Sequence, residues 1–432
     1  MKNKNSGWLF ILYLYTFFLI YRPNLSPWLG ETNILYISTP IIYLLLILRH
    51  RKKLTKTLLN KKIALLILFL LISLLYLSII SLIQNKTMLN SYGEQFILNI
   101  IFIVIPNILF ICFEFLNKGY DFKNFINVIL NIGLYQSVIV ILMLIFPQFR
   151  IIAMDSFLDI AKDKSSEIFR YRIYGFSSDF TFSMQIFQAF LMGVAILCSI
   201  YVSKKYIFYV PFLLLSSILN GRTGIIICIV SILLIVIFTS LKKRNIKNLM
   251  YILFFPALIF FVLRWTLNII KSISTDTFQW IMRFYYESIE FLNGNVTGTY
   301  SILFKEMVFF PKGIELLSGT GHRVFGGREI SYLNSDIGYI NDIFIGGILF
   351  LIFFYIPVIK LIMSNIKGDI LSYGISILCL LFLILGNIKG EIFRPNVIFY
   401  GIMFIKFFLI IFDNRNYIAV IRDKRTQEPK LH

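Results

Sequence analysis

Runs of about 17–25 apolar residues recur along the whole chain, and they limit its possible folds more than any other feature. A helix of that length covers the hydrocarbon core of a bilayer, because each residue adds about 1.5 Å. With 58% hydrophobic residues, a soluble protein of this size would expose far too much apolar surface. The sequence therefore predicts an all-α polytopic membrane protein with about twelve transmembrane helices, forming a single transmembrane domain over residues 1–432. The predicted spans are 8–21, 34–48, 63–83, 96–116, 125–146, 182–202, 207–219, 225–240, 249–270, 337–359, 370–388 and 397–412.

The basic residues fall on alternate links between these spans. With a cytoplasmic N-terminus, the cytoplasmic segments hold about 24 basic against 5 acidic residues, and the outer links about 16 against 15. This positive-inside bias explains the net charge of +20 without a nucleic-acid partner. We therefore expect both termini in the cytoplasm, with residues 413–432 as a cytoplasmic tail. All four cysteines lie inside apolar runs, which excludes a disulfide framework or a cysteine metal site.

Two of the predicted outer loops are long. They cover residues 147–181 and 271–336, about 35 and 66 residues. Both are rich in Phe, Ile, Tyr and Leu, which argues for ordered and functional loops. In the second loop we expect a helix capped by Thr275 and a further amphipathic stretch over residues 302–310. These helices would lie in the outer membrane interface or pack over the bundle.

Arginines concentrate where the predicted outer loops meet helices. Arg172 lies in "RIYG" before the sixth span, and Arg222 lies in "GRTG", a tight turn between two spans. A guanidinium group binds phosphate oxygens through two donors at once, so several arginines around one cavity would suit a pyrophosphate. Lipid head groups or carboxylates are the alternative partners, and we favour that interpretation for Arg150 and Arg170. The remaining outer arginines in this set are Arg323 and Arg328.

Two residues are candidates to accept a proton from a substrate hydroxyl. Asp336 precedes the tenth span in "SDIGYINDIFIGG", and His322 lies in the glycine-rich "GTGHRVFGG". The glycines would expose backbone amides for an anion. Stabilisation of the helix N-terminus is an equally good explanation for Asp336. Tyr339 is expected on the same face as Asp336, whereas Asp342 faces elsewhere.

Four ionisable residues lie inside predicted spans, where a functional role is the first hypothesis. Arg264 and Asp342 lie near outer ends, where contact with water or head groups would explain them. Glu114 lies near an inner end and is expected to be solvated. Lys406 is deeper, and the sequence offers no explanation for it.

The order of these motifs resembles the Wzy polysaccharide polymerases, within the O-antigen polymerase and ligase superfamily. The similarity runs from about Arg172 to Phe350 and rests on "RIYG", "GRTG" and "GTG…SDIGYINDIFIGG". It implies a GT-C-like membrane glycosyltransferase of the bacterial cytoplasmic (inner) membrane, which uses no metal or cofactor. Its substrate would be an oligosaccharide linked to undecaprenyl pyrophosphate. Its product would be O-antigen of lipopolysaccharide or capsular polysaccharide, with a chain-length-regulator protein as a possible partner.

The resemblance also implies roles for single residues and leaves two rival functions. An O-antigen ligase would transfer glycan to lipid A-core, but such ligases have a histidine where this chain has Ser335 and Asp336. A lipid-linked oligosaccharide flippase would place its arginines in a central cavity rather than in outer loops. The implied catalytic residues are Asp336, His322 and Arg222, and the implied pyrophosphate- or glycan-binding residues are Arg172, Arg222, Arg323, Arg328, Arg264 and Tyr339.

Overall fold

The computed structural model describes residues 6–23, 34–84, 92–157, 172–177, 182–221, 223–243, 246–325, 334–364 and 370–427. These residues are almost entirely helical and contain no strand. Each of the twelve predicted spans falls on a helix, and two further helices, α6 and α11, lie in the two long loops. The helices are α1 Ser6–Tyr21, α2 Ile34–Leu58, α3 Lys61–Ile83, α4 Tyr92–Asn117, α5 Phe122–Ile145, α6 Pro147–Phe157, α7 Ser183–Tyr201, α8 Tyr209–Asn220, α9 Thr223–Lys243, α10 Ile246–Ile273, α11 Thr275–Leu292, α12 Gly338–Met363, α13 Ile370–Gly386 and α14 Val397–Gln427.

Short helical turns complete the described chain at Lys204–Phe208, Gly298–Ser301, Ile302–Glu306 and Glu315–Ser318. By length and composition, six helices are able to cross a membrane: α2, α3, α4, α5, α7 and α12. Helices α1, α9 and α13 carry shorter apolar stretches. The chain is therefore a helical, multi-pass membrane protein. The four cysteines are buried and free, as their apolar surroundings predict.

Helix α7 forms the centre of the bundle. It is buried from Ser183 to Cys198 and packs against α8, α9, α13 and α14. A helix that is apolar all round is stable only when neighbours or lipid cover every face. In contrast, α3 buries one narrow stripe, which packs mainly against α12. The other faces of α3 are apolar and exposed, as expected for a helix in contact with lipid.

Polar side chains set the ends of several helices. The side chain of Asn60 accepts a hydrogen bond from the amide of Lys62 at the start of α3. At the start of α11, Ser274 has an extended backbone, and its hydroxyl accepts from the amide of Thr277 at 3.3 Å. The expectation that Thr275 caps this helix is therefore wrong by one residue. Thr275 already belongs to the helix, and only a residue with extended backbone directs its side chain at the free amides.

Helix α12 bends at Gly347, which has a φ of +68° inside the helix. A Cβ atom there would lie 2.1 Å from the carbonyl oxygen of Leu317, so glycine is needed for both conformation and space. Near the bend, the carbonyl oxygen of Phe344 accepts from the amide of Thr320 at 2.7 Å. The bend therefore fixes the "GTG" segment against the first half of α12.

Glu114 is fully buried at the end of α4, so the expectation that it is solvated is wrong. Its carboxylate accepts hydrogen bonds from Trp8 Nε1 at 2.9 Å and pairs with His50 Nε2 at 2.8 Å. Arg49 Nη1 lies 3.3 Å from the same carboxylate. Because these partners come from α1 and α2, Glu114 joins three helices at the predicted inner end.

Lys406 is buried in α14, and its contacts supply the explanation that the sequence lacked. Its ammonium group donates to Ser376 Oγ at 2.8 Å and to the carbonyl oxygen of Ser364 at 3.2 Å. Ser376 belongs to α13 and Ser364 follows α12. The lysine therefore ties the last three long helices together, which is a structural role.

Candidate functional site

The segment that carries Arg172 is hydrogen-bonded to the last residues of α8, which precede Arg222 in the sequence. The amide of Ile173 donates to the carbonyl oxygen of Leu219 at 3.0 Å. The side-chain amide of Asn220 donates to the carbonyl oxygen of Ile173 at 3.3 Å. Arg222 itself lies outside the described residues. The structure thus brings together two motifs that are about fifty residues apart in the sequence.

A glutamine of α5 holds the Arg172 segment. Gln136 Nε2 donates to the carbonyl oxygen of Tyr174 at 2.9 Å, and Gln136 Oε1 accepts from the amide of Phe176 at 3.3 Å. Gly175 has a φ of +62°, and a Cβ atom there would lie 2.4 Å from Gln136 Nε2. The glycine of "RIYG" is therefore required both by its backbone conformation and by the glutamine against it.

A second glutamine, on α7, holds the turn between α8 and α9. Gln185 Oε1 accepts from the amide of Thr223 at 3.1 Å, which caps the first turn of α9. The hydroxyl of Ser217 donates to the carbonyl oxygen of Gln185 at 2.9 Å. A Cβ atom on Gly221 would lie 2.1 Å from Gln185 Oε1, so close packing explains the first glycine of "GRTG".

Arg172 lies at a junction of three parts of the chain. Its guanidinium carbon is 5.5 Å from the centre of the Trp280 ring, which belongs to α11. Its carbonyl oxygen accepts from Arg150 Nη2 at 2.7 Å. Burial lowers the pKa of Arg172, while Tyr174 and Asp336 act in the opposite direction.

Asp336 precedes α12, whose N-cap is Ile337. The aspartate therefore does not cap this helix, but it directly precedes the N-cap, where a negative charge is able to stabilise the helix N-terminus. Its side chain is 36% exposed and lies 3.8 Å from the ammonium group of Lys389. The hydroxyl of Tyr339 is already hydrogen-bonded within the protein, because it donates to the carbonyl oxygen of Ile384 at 2.7 Å. Asp336 is thus a reachable carboxylate beside the cationic side chain of Lys389.

Beside Asp336 lies a buried ion cluster, by which we mean Arg323, Asp342, Glu391 and Arg394. Arg394 Nη2 contacts Asp342 Oδ1 and lies 3.5 Å from Glu391 Oε1. Arg323 Nε donates to Glu391 Oε1 at 3.0 Å, and its Nη2 contacts Glu391 Oε2. Two cations and two anions balance each other. Arg323, predicted to bind phosphate, is therefore held by a carboxylate in a two-point contact.

Asp342 is 1% exposed, so the expectation of a solvated aspartate near a helix end is wrong. Besides Arg394, it accepts a hydrogen bond from the hydroxyl of Tyr355. The hydroxyl of Tyr355 in turn accepts from Asn387 Nδ2 at 2.7 Å. A buried carboxylate is stable when it is both paired and hydrogen-bonded, and Asp342 meets both conditions.

Arg394 is the centre of the cluster. Burial alone would lower its pKa, but Asp342 and Glu391 outweigh that effect and raise the pKa further above its usual value. The guanidinium carbon lies 4.2 Å from the centre of the Phe96 ring, which covers it with an aromatic face. Arg394 therefore stays charged, and its charge is balanced by Asp342 and Glu391 inside the protein.

The short link between α13 and α14, "NIKGEIFRPN", supplies Lys389, Glu391 and Arg394, none of which is among the predicted site residues. Asn387 Oδ1 accepts from the amide of Ile392 at 2.9 Å, and its carbonyl oxygen accepts from Gly338 at 2.9 Å. The sequence alone does not single this link out, because charged residues are common in the links between apolar spans.

The glycine-rich segment before His322 packs closely and is not an open anion site. A Cβ atom on Gly319 would lie 2.6 Å from the Cα atom of Gly346, and the amide of Gly319 donates to Glu315 at 2.7 Å. The expectation of a free amide at Gly319 is wrong. His322 is half-buried, and its amide donates weakly to Thr320 Oγ1 at 3.4 Å.

Two other predicted binding residues remain to be placed. Arg328 lies outside the described residues, as do Arg170 and the glycines 326 and 327. Arg264 is exposed on α10. Within the described residues, the candidate site contains Arg172, the end of α8, Asp336, Lys389 and the buried ion cluster.

Three comparisons with known proteins found no similar protein. No protein-family model matches the chain, no curated protein matches its sequence and no solved structure matches its fold. The function is therefore argued from residues and geometry.

Proposed function

We propose that the chain is a membrane glycosyltransferase that joins oligosaccharide repeat units carried on undecaprenyl pyrophosphate. It would act at the outer face of the bacterial cytoplasmic membrane, with twelve spans and both termini in the cytoplasm. One observation carries the proposal. Ile173, next to Arg172, is hydrogen-bonded to the end of α8 just before Arg222 in the sequence, and Asp336 is a partly exposed carboxylate 3.8 Å from Lys389.

The proposed reaction needs two kinds of group. The hydroxyl oxygen of the acceptor sugar attacks the anomeric carbon of the donor, and the bond from that carbon to the pyrophosphate oxygen breaks. The pyrophosphate leaves with the electron pair. Arg172 and Arg222 would bind it and stabilise its developing charge, as positioned donors do in other enzymes. Asp336 would take the proton from the attacking hydroxyl.

Asp336 is preferred over the other carboxylates of the site as the base. Glu391 and Asp342 are buried and bound to arginines, so the hydroxyl of a substrate does not reach them. The side chain of Asp336 is 36% exposed and can therefore reach a substrate. His322 remains the second candidate, and Arg323 is assigned to holding Glu391 in place.

The function is tested by deleting the gene and measuring the glycans on the cell surface and on the lipid carrier. We expect single repeat units in both places. Long glycan that accumulates on the carrier would indicate a ligase, and single units retained at the cytoplasmic face would indicate a flippase. A normal distribution of glycan lengths would contradict all three functions.

The base is tested by complementing the deletion with Asp336→Asn. We expect polymer formation to fall by about 10²–10⁴-fold, because the amide cannot accept the proton. Asp276→Asn is the control, since Asp276 is exposed in the first turn of α11. A normal polymer with Asp336→Asn, at normal protein level, would exclude Asp336 and direct attention to His322.

A further inference from the structure

Helix α11 and the turn that follows it form a cavity of about 640 Å³ that is open to the surface. This volume lies within the usual range for small-ligand sites. Its lining combines two aromatic side chains, two carboxylates and a carboxamide, together with Arg283. The aromatic residues are Phe278 and Tyr286, the carboxylates Glu287 and Glu290, and the carboxamide Gln279.

We infer that this cavity, the α11 cavity, binds an uncharged stretch of oligosaccharide. A sugar ring presents hydroxyl groups at its edge and C–H groups on its faces. Carboxylate oxygens accept hydrogen bonds from hydroxyls, and a carboxamide both donates and accepts. Aromatic rings such as Phe278 and Tyr286 pack against the apolar faces, while the tyrosine hydroxyl supplies another polar contact. The lining thus matches both surfaces of a sugar.

The charge of the α11 cavity argues against a phosphate or an anionic lipid head group. Arg283 is the one cation in its described lining, and its Nε donates to Glu287 Oε1 at 3.1 Å. Glu290 adds a second carboxylate, which accepts from the hydroxyl of Thr297. The lining therefore has an excess negative charge, which repels an anion.

The position of the α11 cavity connects it to the candidate site. Trp280, on the same helix, contacts Arg172 at 5.5 Å. Glu290 is ten residues further along α11, which corresponds to about 15 Å. A glycan whose reacting end lies at Arg172 and Asp336 would reach the cavity by following α11. The inference rests on the proposed function and adds to it a subsite that retains the longer glycan.

Two adjacent tyrosines provide a matched pair of variants. Tyr286 lines the α11 cavity and is 59% exposed, whereas Tyr285 is 55% exposed and does not line it. The full-length protein in nanodiscs is titrated calorimetrically with oligosaccharides of one, two and four repeat units, released from the strain's own surface polysaccharide. We expect Tyr286→Ala to weaken binding of the four-unit probe by about tenfold, and Tyr285→Ala to leave it within about twofold.

A second variant protects the test against misfolding. Glu290→Gln keeps the shape of the side chain and replaces a carboxylate oxygen by a donor, so it should weaken the same probe severalfold without unfolding α11. Equal binding by the wild type and both cavity variants would overturn the inference. So would loss of oligosaccharide binding in nanodiscs rich in phosphatidylglycerol, because the cavity would then hold a lipid head group.

The polymerase proposal and the subsite fail in different ways. Oligosaccharide binding that depends on Tyr286 in a protein that joins no repeat units would keep the subsite and reject the polymerase. Normal joining of repeat units, together with oligosaccharide binding that does not change in Tyr286→Ala, would reject the subsite alone. If the chain is a polymerase and the α11 cavity is its glycan subsite, Tyr286→Ala shortens the polymer while the first joining step proceeds at its usual rate.

Discussion

Two arginine-bearing regions lie at the same end of the bundle, and their charges are used differently. In the buried ion cluster, Arg323 and Arg394 are matched by Glu391 and Asp342. In the Arg172 segment, the guanidinium group packs on an aromatic ring, and the nearby carboxylate, Asp336, is partly exposed. A matched cluster gains nothing from an incoming anion. This contrast supports the proposal that a pyrophosphate binds beside Arg172 rather than at the cluster.

The difference also separates stability from function. A buried ion pair contributes little net stability but becomes strongly destabilising when one partner is removed. A partly exposed arginine aimed at a ligand contributes little to folding and much to binding. Substitutions in the two regions should therefore give opposite results, namely loss of the folded protein in one and loss of activity in the other.

The largest effect is expected for Arg394→Met. It leaves Asp342 and Glu391 buried without Arg394, which should lower the free energy of unfolding by about 3–5 kcal/mol. Thermal unfolding in detergent and the amount of protein in the membrane are the measurements. The double variant Arg394→Met with Asp342→Asn should recover part of the loss. Normal stability with lost activity would mean that the cluster acts in chemistry, and the comparison would fail.

A smaller effect, on activity alone, is expected for Arg172→Lys. The ammonium group keeps the charge but loses the two-point contact, so joining of lipid-linked units should fall by about 10–100-fold. Thermal stability should change by less than about 0.5 kcal/mol. Arg264→Lys, on the exposed face of α10, is the matched control and should behave as wild type. A shared loss of activity in both variants would restore Arg264 to the site.

The smallest effect is expected for a pair of glycine variants. Gly175 and Gly313 have nearly equal φ values, +62° and +61°, so alanine should strain either backbone by about 1 kcal/mol. The two differ in space, because a Cβ atom on Gly175 meets Gln136 and one on Gly313 meets nothing within 4 Å. Gly175→Ala should displace the Arg172 segment and lower activity by about tenfold, whereas Gly313→Ala should not. Equal activities would show that the exact position of the segment is unimportant.

Much of the helical fold follows from the sequence. Apolar runs place all twelve predicted spans on helices, because burial of apolar side chains in lipid requires helices whose backbone groups are satisfied internally. The second long loop contains a helix where its apolar stripe predicts one, with the start shifted by one residue to Ser274. Such one-residue errors arise because either hydroxyl residue is able to cap, and backbone conformation decides between them.

The candidate site is predicted less well. Arg172, Arg222 and Asp336 stand out in the sequence because they adjoin span ends, and the structure bonds the segment of Arg172 to the end of α8. The role of Arg323 and the existence of the Arg394 centre do not emerge, because an ion pair depends on which chain segments meet. The same reason explains the errors at Asp342 and Glu114, whose buried partners come from other helices.

The sequence by itself determined that this chain crosses a membrane and that arginines gather at one end of it, because hydrophobic run length and charge order are properties of the linear chain. The tertiary structure alone decided which arginines are neutralised. Arg394 and Asp342 are about fifty residues apart, and only the packing of α12 beside the link before α14 brings them into contact. Helix packing in a bundle depends on shape and close approach, which hydropathy does not encode.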